Sequence, residues 1–408
     1  MYNLGIHILS FILKILAFFN LKIKKGIKGR SETFNLLNEK IDANDRTIWF
    51  HCASLGEYEQ GLPVFESIRN KYPSHKIVLT FFSPSGYDIR KNTPIADVVT
   101  YLPLDTKANA KQFLDIVNPI FTVFVKYDIW PNFLNELKSR QGRAILISAL
   151  IRNNHAYFKW YGRHLRNALR AFEHIFVQNE NSKILLQNIE ISNVTISGDT
   201  RYDRVSNQLL QNNSLDFISE FKNDSLCIVI GSSWPEDEAI LIPYINEHAS
   251  KQVKFIIAPH NINKVQIDGI TKKLNVEYVL FSEMENKTLV NYSVFIVDTI
   301  GLLTKIYSYA DIAYVGGAIG TTGLHNILEP AVFGIPIIIG NNYEKFPEAK
   351  TMIKKGGVIS VNGSNTLNIE LEQLVNSEED RIQLGSINEI FIKKNKGAVN
   401  QIMDYIRI

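Results

Sequence analysis

The sequence predicts an α/β protein of two doubly wound domains, each built on a parallel sheet with helices on both faces. Short runs rich in valine, isoleucine and phenylalanine recur from residue 45 onward, and helical periodicity follows most of them. A polar stretch without strand character, residues 205–224, interrupts this series, and the series then restarts. With 408 residues the chain is long enough for two or three domains.

The composition excludes several classes of protein. Hydrophobic residues make up 45% and charged residues 21%, which excludes a disordered chain, a collagen-like repeat and a polytopic membrane protein. The formal net charge of +3 is too small to indicate a nucleic-acid partner. Cys52 and Cys227 form neither a zinc-ligand spacing nor a disulfide framework, which is typical of a reducing compartment.

The N-terminal segment, residues 1–30, combines an apolar run with basic residues and has no acid. Its basic residues are Lys14, Lys22, Lys24, Lys25, Lys28 and Arg30. Lys14 lies inside the apolar run and disfavours a membrane span, and no charge precedes the run as it does in a signal peptide. We therefore expect a helix in the membrane interface, with residues 22–30 on anionic headgroups. The alternative is a helix buried in the globular body.

The first domain is expected at residues 31–205. Its predicted strands are residues 47–52, 76–81, 97–101, 120–125, 144–148, 174–177 and 193–197. A linker is expected at residues 206–222 and a second domain at residues 223–385. The strands predicted there are residues 226–230, 253–257, 293–297, 312–315 and 335–339.

A final helix is expected at residues 386–408, packed on the first domain. Two such domains bind ligands where the carboxyl ends of their strands face a shared cleft.

Two loops of the first domain carry acids. Residues 53–57 (ASLGE) follow the first strand and place Glu57 in the first turn of a helix. Glu57 is either a general base or an acid that the helix dipole favours at this position without any catalytic role. Residues 126–132 follow the fourth strand, and Lys126 and Asp128 are two apart, so an extended chain would point them the same way. The alternative for Asp128 is a capping acid beside a packed Trp130.

Two loops of the second domain suit a nucleotide. Ser232 and Ser233 lie between a strand and a helix, either as part of a phosphate cradle or as an ordinary helix cap. Residues 315–329 contain four glycines and then Asn326 and Glu329, which lie one turn apart on a helix expected to begin near His325.

This glycine-rich loop is neither a Rossmann fingerprint nor a P-loop, and a tight strand-to-helix turn is the alternative. No histidine pair has a metal-ligand spacing, and no nucleophile elbow occurs.

Together these loops resemble one family, the 3-deoxy-D-manno-octulosonic acid (Kdo) transferases of lipid A biosynthesis. Seven motifs carry the resemblance in order: residues 51–60 (HCASLGEYEQ), 80–87 (TFFSPSGY), 102–105 (LPLD), 130–132 (WPN), 197–203 (SGDTRYD), 297–301 (VDTIG) and 315–330. The resemblance implies a GT-B fold, in which two Rossmann-like domains flank the active site. It also implies an inverting glycosyltransferase that moves Kdo from CMP-Kdo to a hydroxyl of a lipid IVA-like precursor.

The expected location is the cytoplasmic face of the inner membrane. The expected partners are CMP-Kdo, the lipid A precursor and anionic lipids, with no metal cofactor and no nucleic acid.

The resemblance also implies roles for individual residues. Glu57 matches the family's proposed catalytic base, and Asp128 matches a second acid that positions donor or acceptor. The remaining candidates are substrate or nucleotide contacts: Ser54, Gly56, Arg201, Ser232, Ser233, Pro259, His260, Gly316, Gly317, Asn326 and Glu329. Among these, the two serines and the Gly316 and Gly317 amides are expected at the CMP phosphate, Glu329 at the ribose hydroxyls and Arg201 at an anion.

The chain departs from the family pattern at three places. Lys126 replaces an acid of the family's Glu-Thr-Glu-Leu-Trp-Pro-Asn motif. Trp234 replaces the histidine of the family's Gly-Ser-Thr-His. Pro259-His260 replaces Pro-Arg-His, so His260, Lys264 or an arginine from elsewhere in the chain is expected to take the place of the missing arginine. Two other functions remain open: a membrane-associated GT-B glycosyltransferase with a different nucleotide sugar, and a non-catalytic, membrane-anchored module that binds a nucleotide sugar.

Overall fold

The computed structural model describes residues 2–408 and forms two compact units. Unit 1 comprises the chain up to Arg204 together with Lys396–Ile408, and unit 2 comprises Val205–Asn395. Each unit contains a seven-stranded sheet in which every paired strand is parallel. The prediction of two parallel α/β domains is therefore confirmed.

The sheet of unit 1 has the order β3-β2-β1-β4-β5-β6-β7. Its strands are β1 (Thr47–Cys52), β2 (Lys76–Phe81), β3 (Val98–Tyr101), β4 (Pro119–Val125), β5 (Ala144–Ala149), β6 (His174–Val177) and β7 (Val194–Ile196). The helices are α1 (Tyr2–Leu16), α2 (Leu21–Lys40), α3 (Leu55–Lys71), α4 (Pro84–Arg90), α5 (Lys107–Val117), α6 (Pro131–Ser139), α7 (Arg163–Leu169), α8 (Glu180–Gln187) and α9 (Thr200–Gln208).

Both faces of this sheet are buried, which explains why its strands are almost continuously apolar. Along β1 the side chains of Ile48 and Phe50 enter one core cluster, and Trp49 between them enters the other. Helix α3 covers the first face through Phe65, and α6 covers the second through Phe133. The loops that lead into these two helices therefore approach the sheet edge from opposite faces.

The sheet of unit 2 has the order β10-β11-β9-β8-β12-β13-β14. Its strands are β8 (Leu226–Ser233), β9 (Val253–Pro259), β10 (Tyr278–Leu280), β11 (Val294–Ile296), β12 (Ile312–Val315), β13 (Ile337–Gly340) and β14 (Val358–Val361). The helices are α10 (Asp216–Lys222), α11 (Pro235–His248), α12 (Lys264–Thr271), α13 (Leu303–Ile306), α14 (Leu328–Ala331), α15 (Pro347–Lys355), α16 (Ser364–Asn376) and α17 (Glu378–Asn395). Helix α18 (Ala398–Tyr405) belongs to unit 1.

The N-terminal segment differs from the single helix expected over residues 1–30. The chain breaks after α1, and the Asn20 side chain caps α2 by accepting from the amides of Lys22 and Ile23 at 2.9 and 3.2 Å. Helix α2 then continues past residue 30. Arg30, expected on lipid headgroups, instead lies 4.3 Å above the Phe82 ring and donates to backbone carbonyls, and burial lowers its pKa to about 10.

The expected domain boundaries are wrong at two other places. Helix α10 falls inside the predicted linker, yet Phe221 is fully buried and packs 5.4 Å from Phe295 of unit 2. Helix α17 runs through the predicted boundary at residue 385. Its buried Asn388 donates to the carbonyls of Ile335 and Gly357 at 2.8 and 2.7 Å, which ties this helix to unit 2. Only α18, packed on α3, returns to the first domain.

Candidate active site

The candidate residues gather at one position in each sheet. In unit 1 the strand order reverses between β1 and β4, and in unit 2 it reverses between β8 and β12. At such switch points the loops diverge to opposite faces and leave a crevice at the carboxyl ends of the strands, where ligands bind in open α/β sheets. The acidic loops follow β1 and β4, and the glycine loop follows β12. Ser232 and Ser233, expected between a strand and a helix, are instead the last two residues of β8.

Glu57 lies in the first turn of α3, directly after β1. Ser54 is the N-cap of this helix, and its hydroxyl donates to Glu57 Oε2 instead of capping a backbone amide. Glu57 is 7% exposed, so its carboxylate is held in a partly dry environment at a helix N-terminus. Gly56 is exposed, and an added Cβ would meet only the Ser54 hydroxyl, at 3.8 Å, so the chain leaves open space beside the carboxylate.

A chain of buried polar groups fixes Asp128. His51 Nε2 lies 2.5 Å from Asp128 Oδ2, and His51 Nδ1 lies 2.8 Å from the Thr80 hydroxyl, which accepts from Trp49 Nε1 at 2.8 Å. Trp130 Nε1 also lies 2.9 Å from His51 Nε2. If His51 Nε2 carries a proton, it donates to Asp128; if it carries none, it accepts from Trp130. The tautomer of this buried imidazole therefore decides which of the two residues it is hydrogen-bonded to.

The carboxylates of Glu57 and Asp128 influence the same two side chains electrostatically, although the loops that carry them approach from opposite faces of the sheet. The pKa of Tyr127 is raised, first by burial and then by the charges of both carboxylates. The pKa of the Cys52 thiol is raised well above its usual range by burial and by the same two acids. The structure therefore brings the two predicted acids together at the end of β1.

Arg201 is not free to receive an anion by itself. Its guanidinium forms an ion pair with Asp199, with Nη2 to Oδ2 at 2.8 Å. Asp199 also accepts from buried Gln60 Nε2 at 2.8 Å. Residues of two motifs, 51–60 and 197–203, thus form one buried network beside α3, and Arg201 is oriented by it.

In unit 2, Asp237 occupies the centre of the predicted phosphate cradle. This fully buried carboxylate accepts from the amides of Trp234 and Gly317 at 2.9 and 2.8 Å and from the Tyr314 hydroxyl at 2.8 Å. The Gly316 amide donates to the carbonyl of Gly231 at 2.9 Å. Both glycine amides therefore have protein acceptors in this structure, and their role at a phosphate stays a prediction.

The two glycines serve close packing. A Cβ on Gly316 would lie 2.4 Å from the carbonyl oxygen of Ser232, and Gly317 has a φ of +95°. Ser232 itself has a φ of +55° where the pairing of β8 with β9 shifts register, and it remains half-buried. Ser233 is buried, and its hydroxyl donates to Glu238 Oε1 at 3.0 Å, so of the two serines only Ser232 remains a candidate for the phosphate.

An aromatic stack stands at the ends of β8 and β9. The His260 ring stacks on Trp234 at 4.4 Å between centroids, and His325 lies 4.6 Å from His260. Trp234 Nε1 donates to His325 Nε2 at 3.1 Å. Burial and the neighbouring His260 lower the pKa of His325 to about 4. Pro259 ends β9 and holds His260 at this edge, where the imidazole is exposed.

The helix expected near His325 begins later, at Leu328. Asn326 therefore precedes the helix, where its side-chain oxygen accepts from the Leu328 amide at 3.2 Å. Its amide nitrogen donates to Glu329 Oε1 at 3.1 Å, so these two predicted residues do meet. Glu329 also raises the pKa of buried Tyr307, whose hydroxyl lies against Gly231.

Residues 28–204, which hold the whole site of unit 1, match a family model described as 3-deoxy-D-manno-octulosonic-acid transferase (kdotransferase). A 3-deoxy-D-manno-octulosonic acid transferase of Haemophilus influenzae is 28% identical over 377 residues, 88% of this chain and 86% of the relative. One of Rickettsia bellii is 27% identical over 421 aligned positions, 98% of each chain. The chain is therefore similar to 3-deoxy-D-manno-octulosonic acid transferases over most of its length.

A solved structure supports the fold over both units. The UDP-GlcNAc 2-epimerase of Neisseria meningitidis superposes with a TM-score of 0.63 at 16% identity, covering 88% of this chain and 98% of the epimerase. This similarity shows the GT-B-like α/β fold that the motifs imply. The chain thus resembles Kdo transferases in sequence and has that fold.

Several residues of this chain have roles that sequence reasoning did not assign. His51 and Gln60 lie inside a quoted motif, but their partners come from other strands and loops. No motif assigns a role to Asp237 or Trp234, and His325 is predicted only as the approximate start of a helix. The only available signal was the position of each beside a predicted loop.

Within residues 2–408, no group of three or more histidine, cysteine, aspartate or glutamate side chains is arranged to hold a metal ion. No helix within the same range has the length and hydropathy needed to cross a membrane.

Proposed function

We propose that the protein transfers Kdo from CMP-Kdo to a hydroxyl of a lipid A precursor, by direct displacement with inversion at the anomeric carbon. The observation that carries this proposal is the pair of carboxylates, Glu57 and Asp128, at the switch point of the family-matching unit. In a direct displacement, a new bond forms between the acceptor oxygen and the anomeric carbon as the bond to the phosphate oxygen breaks. CMP leaves with that electron pair.

Glu57 is the proposed general base. The acceptor hydroxyl must lose its proton as it attacks, and a carboxylate within hydrogen-bond reach contributes about 10²- to 10⁴-fold to the rate of such a step. The open space beside Gly56 supports this role because an acceptor can reach the carboxylate there. Asp128 is proposed to orient a substrate, with its own position set by His51.

Unit 2 is the proposed CMP site. Ser232 and exposed His260 are the proposed phosphate contacts, with His260 in the place of the family arginine. The carboxylate of Glu329, paired with Asn326, is proposed to accept hydrogen bonds from the ribose hydroxyls. In this scheme protein dipoles and side chains stabilise the leaving phosphate, and no metal takes part.

The N-terminal helix is proposed to hold the enzyme on the cytoplasmic face of the inner membrane. The apolar face of α1 points away from unit 1: Leu4, Ile8, Phe11 and Ile15 are exposed. Phe18, in the turn after the helix, is 87% exposed. An apolar stripe of this kind, flanked by lysines and free of acids, is typical of a helix that lies in a lipid interface.

The reaction is tested with purified protein, freshly generated CMP-Kdo and a tetraacylated lipid A precursor, followed by mass spectrometry. We expect the acceptor to gain the mass of one or more Kdo residues, and we expect CMP but not UDP to inhibit. If the protein transferred sugar only from a UDP-sugar, the donor would be that UDP-sugar and not CMP-Kdo. An unchanged acceptor beside a working control enzyme would contradict Kdo transfer.

The base is tested with Glu57→Gln. This change keeps the shape and removes the proton acceptor, so we expect the transfer rate to fall about 10²- to 10⁴-fold with CMP binding retained. Glu66→Gln, an exposed position on the same helix, is the matched control and should keep the wild-type rate. A Glu57→Gln enzyme as fast as wild type would exclude Glu57 as the base.

A further inference from the structure

A second basic segment without acids lies far from the N-terminus in sequence. Residues 137–172 contain no aspartate or glutamate. From residue 152 onward the lysines and arginines of this segment are Arg152, Lys159, Arg163, Arg166 and Arg170. Two large aromatic side chains, Trp160 and Tyr161, stand in the middle of this run. They are 88% and 58% exposed.

These aromatic side chains are held outward by a rigid turn. Trp160 and Tyr161 open a short 3-10 helix that leads directly into α7, and their rings meet edge to face at 5.5 Å. Gly162 is buried against the carbonyl oxygen of Ala156, so the backbone beneath the two rings is packed. Exposure of two fixed aromatic rings on a soluble surface has no folding benefit, and it is typical of a surface that meets a partner.

The segment lies beside the start of α1. The ring of His164 is 5.0 Å from the ring of Tyr2. A cavity of about 650 Å³ opens between them, with Tyr2 and Asn3 on one side and Tyr161, Arg163 and His164 on the other. The two acid-free basic segments of unit 1 therefore meet at this cavity, although more than 100 residues separate them in sequence.

We propose that residues 159–163 form a second membrane contact, in which Trp160 and Tyr161 enter the lipid headgroup layer while Lys159 and Arg163 bind anionic phosphates. This inference rests on the proposed attachment through α1 and adds a second point of contact beside that helix. Tryptophan and tyrosine are the residues enriched at membrane–water interfaces, because one end of each ring system is apolar and the other is polar. Exposed Lys159 and Arg163 supply the matching charge.

Two contacts orient the protein where a single helix would leave it free to rotate. A helix lying in the interface fixes one axis. The aromatic pair beside its N-terminal end fixes rotation about that axis, and with it the direction in which unit 1 faces the bilayer. Such orientation would present the switch point of unit 1 to a lipid-embedded acceptor in a constant way.

The test uses the full chain and vesicles of phosphatidylcholine with or without phosphatidylglycerol. We expect Trp160→Ala to lower the partition coefficient roughly tenfold, because a large apolar contact area is lost. We expect Arg163→Gln to lower it about fivefold on anionic vesicles and to have no effect on neutral ones. Val265→Ala and Lys272→Gln, at exposed positions of unit 2, are the matched controls and should bind as wild type does.

The depth to which Trp160 enters the bilayer is measured independently with brominated lipids, which quench the fluorescence of an inserted tryptophan. Of the four tryptophans, Trp49 is fully buried and Trp130 and Trp234 are half-buried, so a loss of quenching in Trp160→Phe assigns the signal to exposed Trp160. Full vesicle binding by Trp160→Ala, with Phe18→Ser alone losing it, would overturn the second contact and leave the α1 attachment standing. No vesicle binding by the wild-type chain would overturn both.

Discussion

At the scale of single residues, His325 shows how burial sets the charge of a side chain. Its Nε2 accepts from Trp234, which requires that nitrogen to be unprotonated, and the second imidazole, His260, lies 4.6 Å away. Protonation would break the hydrogen bond and place a charge in a half-buried stack. The lowered pKa, about 4, follows from burial first and from His260 second.

His325 predicts a pH dependence of stability. Because the unfolded histidine binds a proton near pH 6.5 and the folded one only near pH 4, the unfolded state holds more protons between these values. The free energy of unfolding should therefore fall as pH drops through this window, by about 3 kcal/mol for this group. This fall in the free energy of unfolding is measured by urea unfolding of the wild-type protein and of His325→Gln between pH 7 and pH 4. Equal pH slopes for the two proteins would contradict the prediction.

His51 and Arg201 show where residue-level prediction stops. Sequence places His51 on the same face of β1 as Trp49, two residues apart, but its partner Thr80 comes from β2 and its partner Asp128 from the loop after β4. Arg201 was predicted to face an anion, and the anion it meets is Asp199. A side chain's partner depends on which elements become neighbours, and a single sequence does not contain that information.

At the scale of elements, α18 is a short helix whose start is fixed from a distance. The Asp203 carboxylate, on α9, accepts from the amides of Gly397, Ala398 and Val399 at 2.8, 3.1 and 3.4 Å. The first amides of a helix have no intrahelical partner, so a carboxylate here both satisfies them and interacts favourably with the helix dipole. Motif residues 197–203 thus anchor the end of the chain.

Removal of this cap should destabilise the protein. We expect Asp203→Ala to lower the free energy of unfolding by about 1–2 kcal/mol. Asp404→Ala, at an exposed position in the same helix, is the control and should change it by less than about 0.5 kcal/mol. Thermal and urea unfolding measure both variants. If the two changes cost the same, the cap does not stabilise α18.

Strand prediction succeeded throughout unit 1 and at the centre of unit 2, and it failed at the two edges of unit 2. The seven strands of unit 1 and the five central strands of unit 2 match the predicted runs closely, because burial on both faces demands continuous apolar residues. The two edge strands of unit 2, β10 and β14, were not predicted. Both are only partly buried, so burial does not impose on them the continuous apolar run that marks a central strand.

At the scale of the whole molecule, the chain crosses from unit 1 to unit 2 and back again. Unit 1 is completed by the last 13 residues, Lys396–Ile408. Ile402 and Ile406 of this segment are fully buried in the same cluster as Phe50 of β1. A unit encoded mainly by the first half of the chain therefore depends on its last residues.

Deletion of residues 396–408 should destabilise unit 1 specifically. Burial of a large aliphatic side chain contributes about 1.5–3 kcal/mol, so the loss of two should cost at least about 3 kcal/mol. Hydrogen exchange should rise in β1 and β2 and stay unchanged in β8 and β12. Ile402→Ala should reproduce much of the effect, whereas Ile390→Ala, at an exposed position in unit 2, should not. Unchanged protection of β1 would contradict this dependence.

The sequence by itself determined the fold class, most strands and the loops that hold the candidate site, because these follow from local periodicity and from motifs of consecutive residues. Only the tertiary structure decided which candidates meet a partner. It joined Glu57 and Asp128 at one sheet edge, gave the Gly316 and Gly317 amides to protein acceptors, and bent the N-terminal segment at Asn20. The physical reason is that a polar group's partner is chosen by packing between elements distant in sequence, whereas strand and helix character is imposed residue by residue.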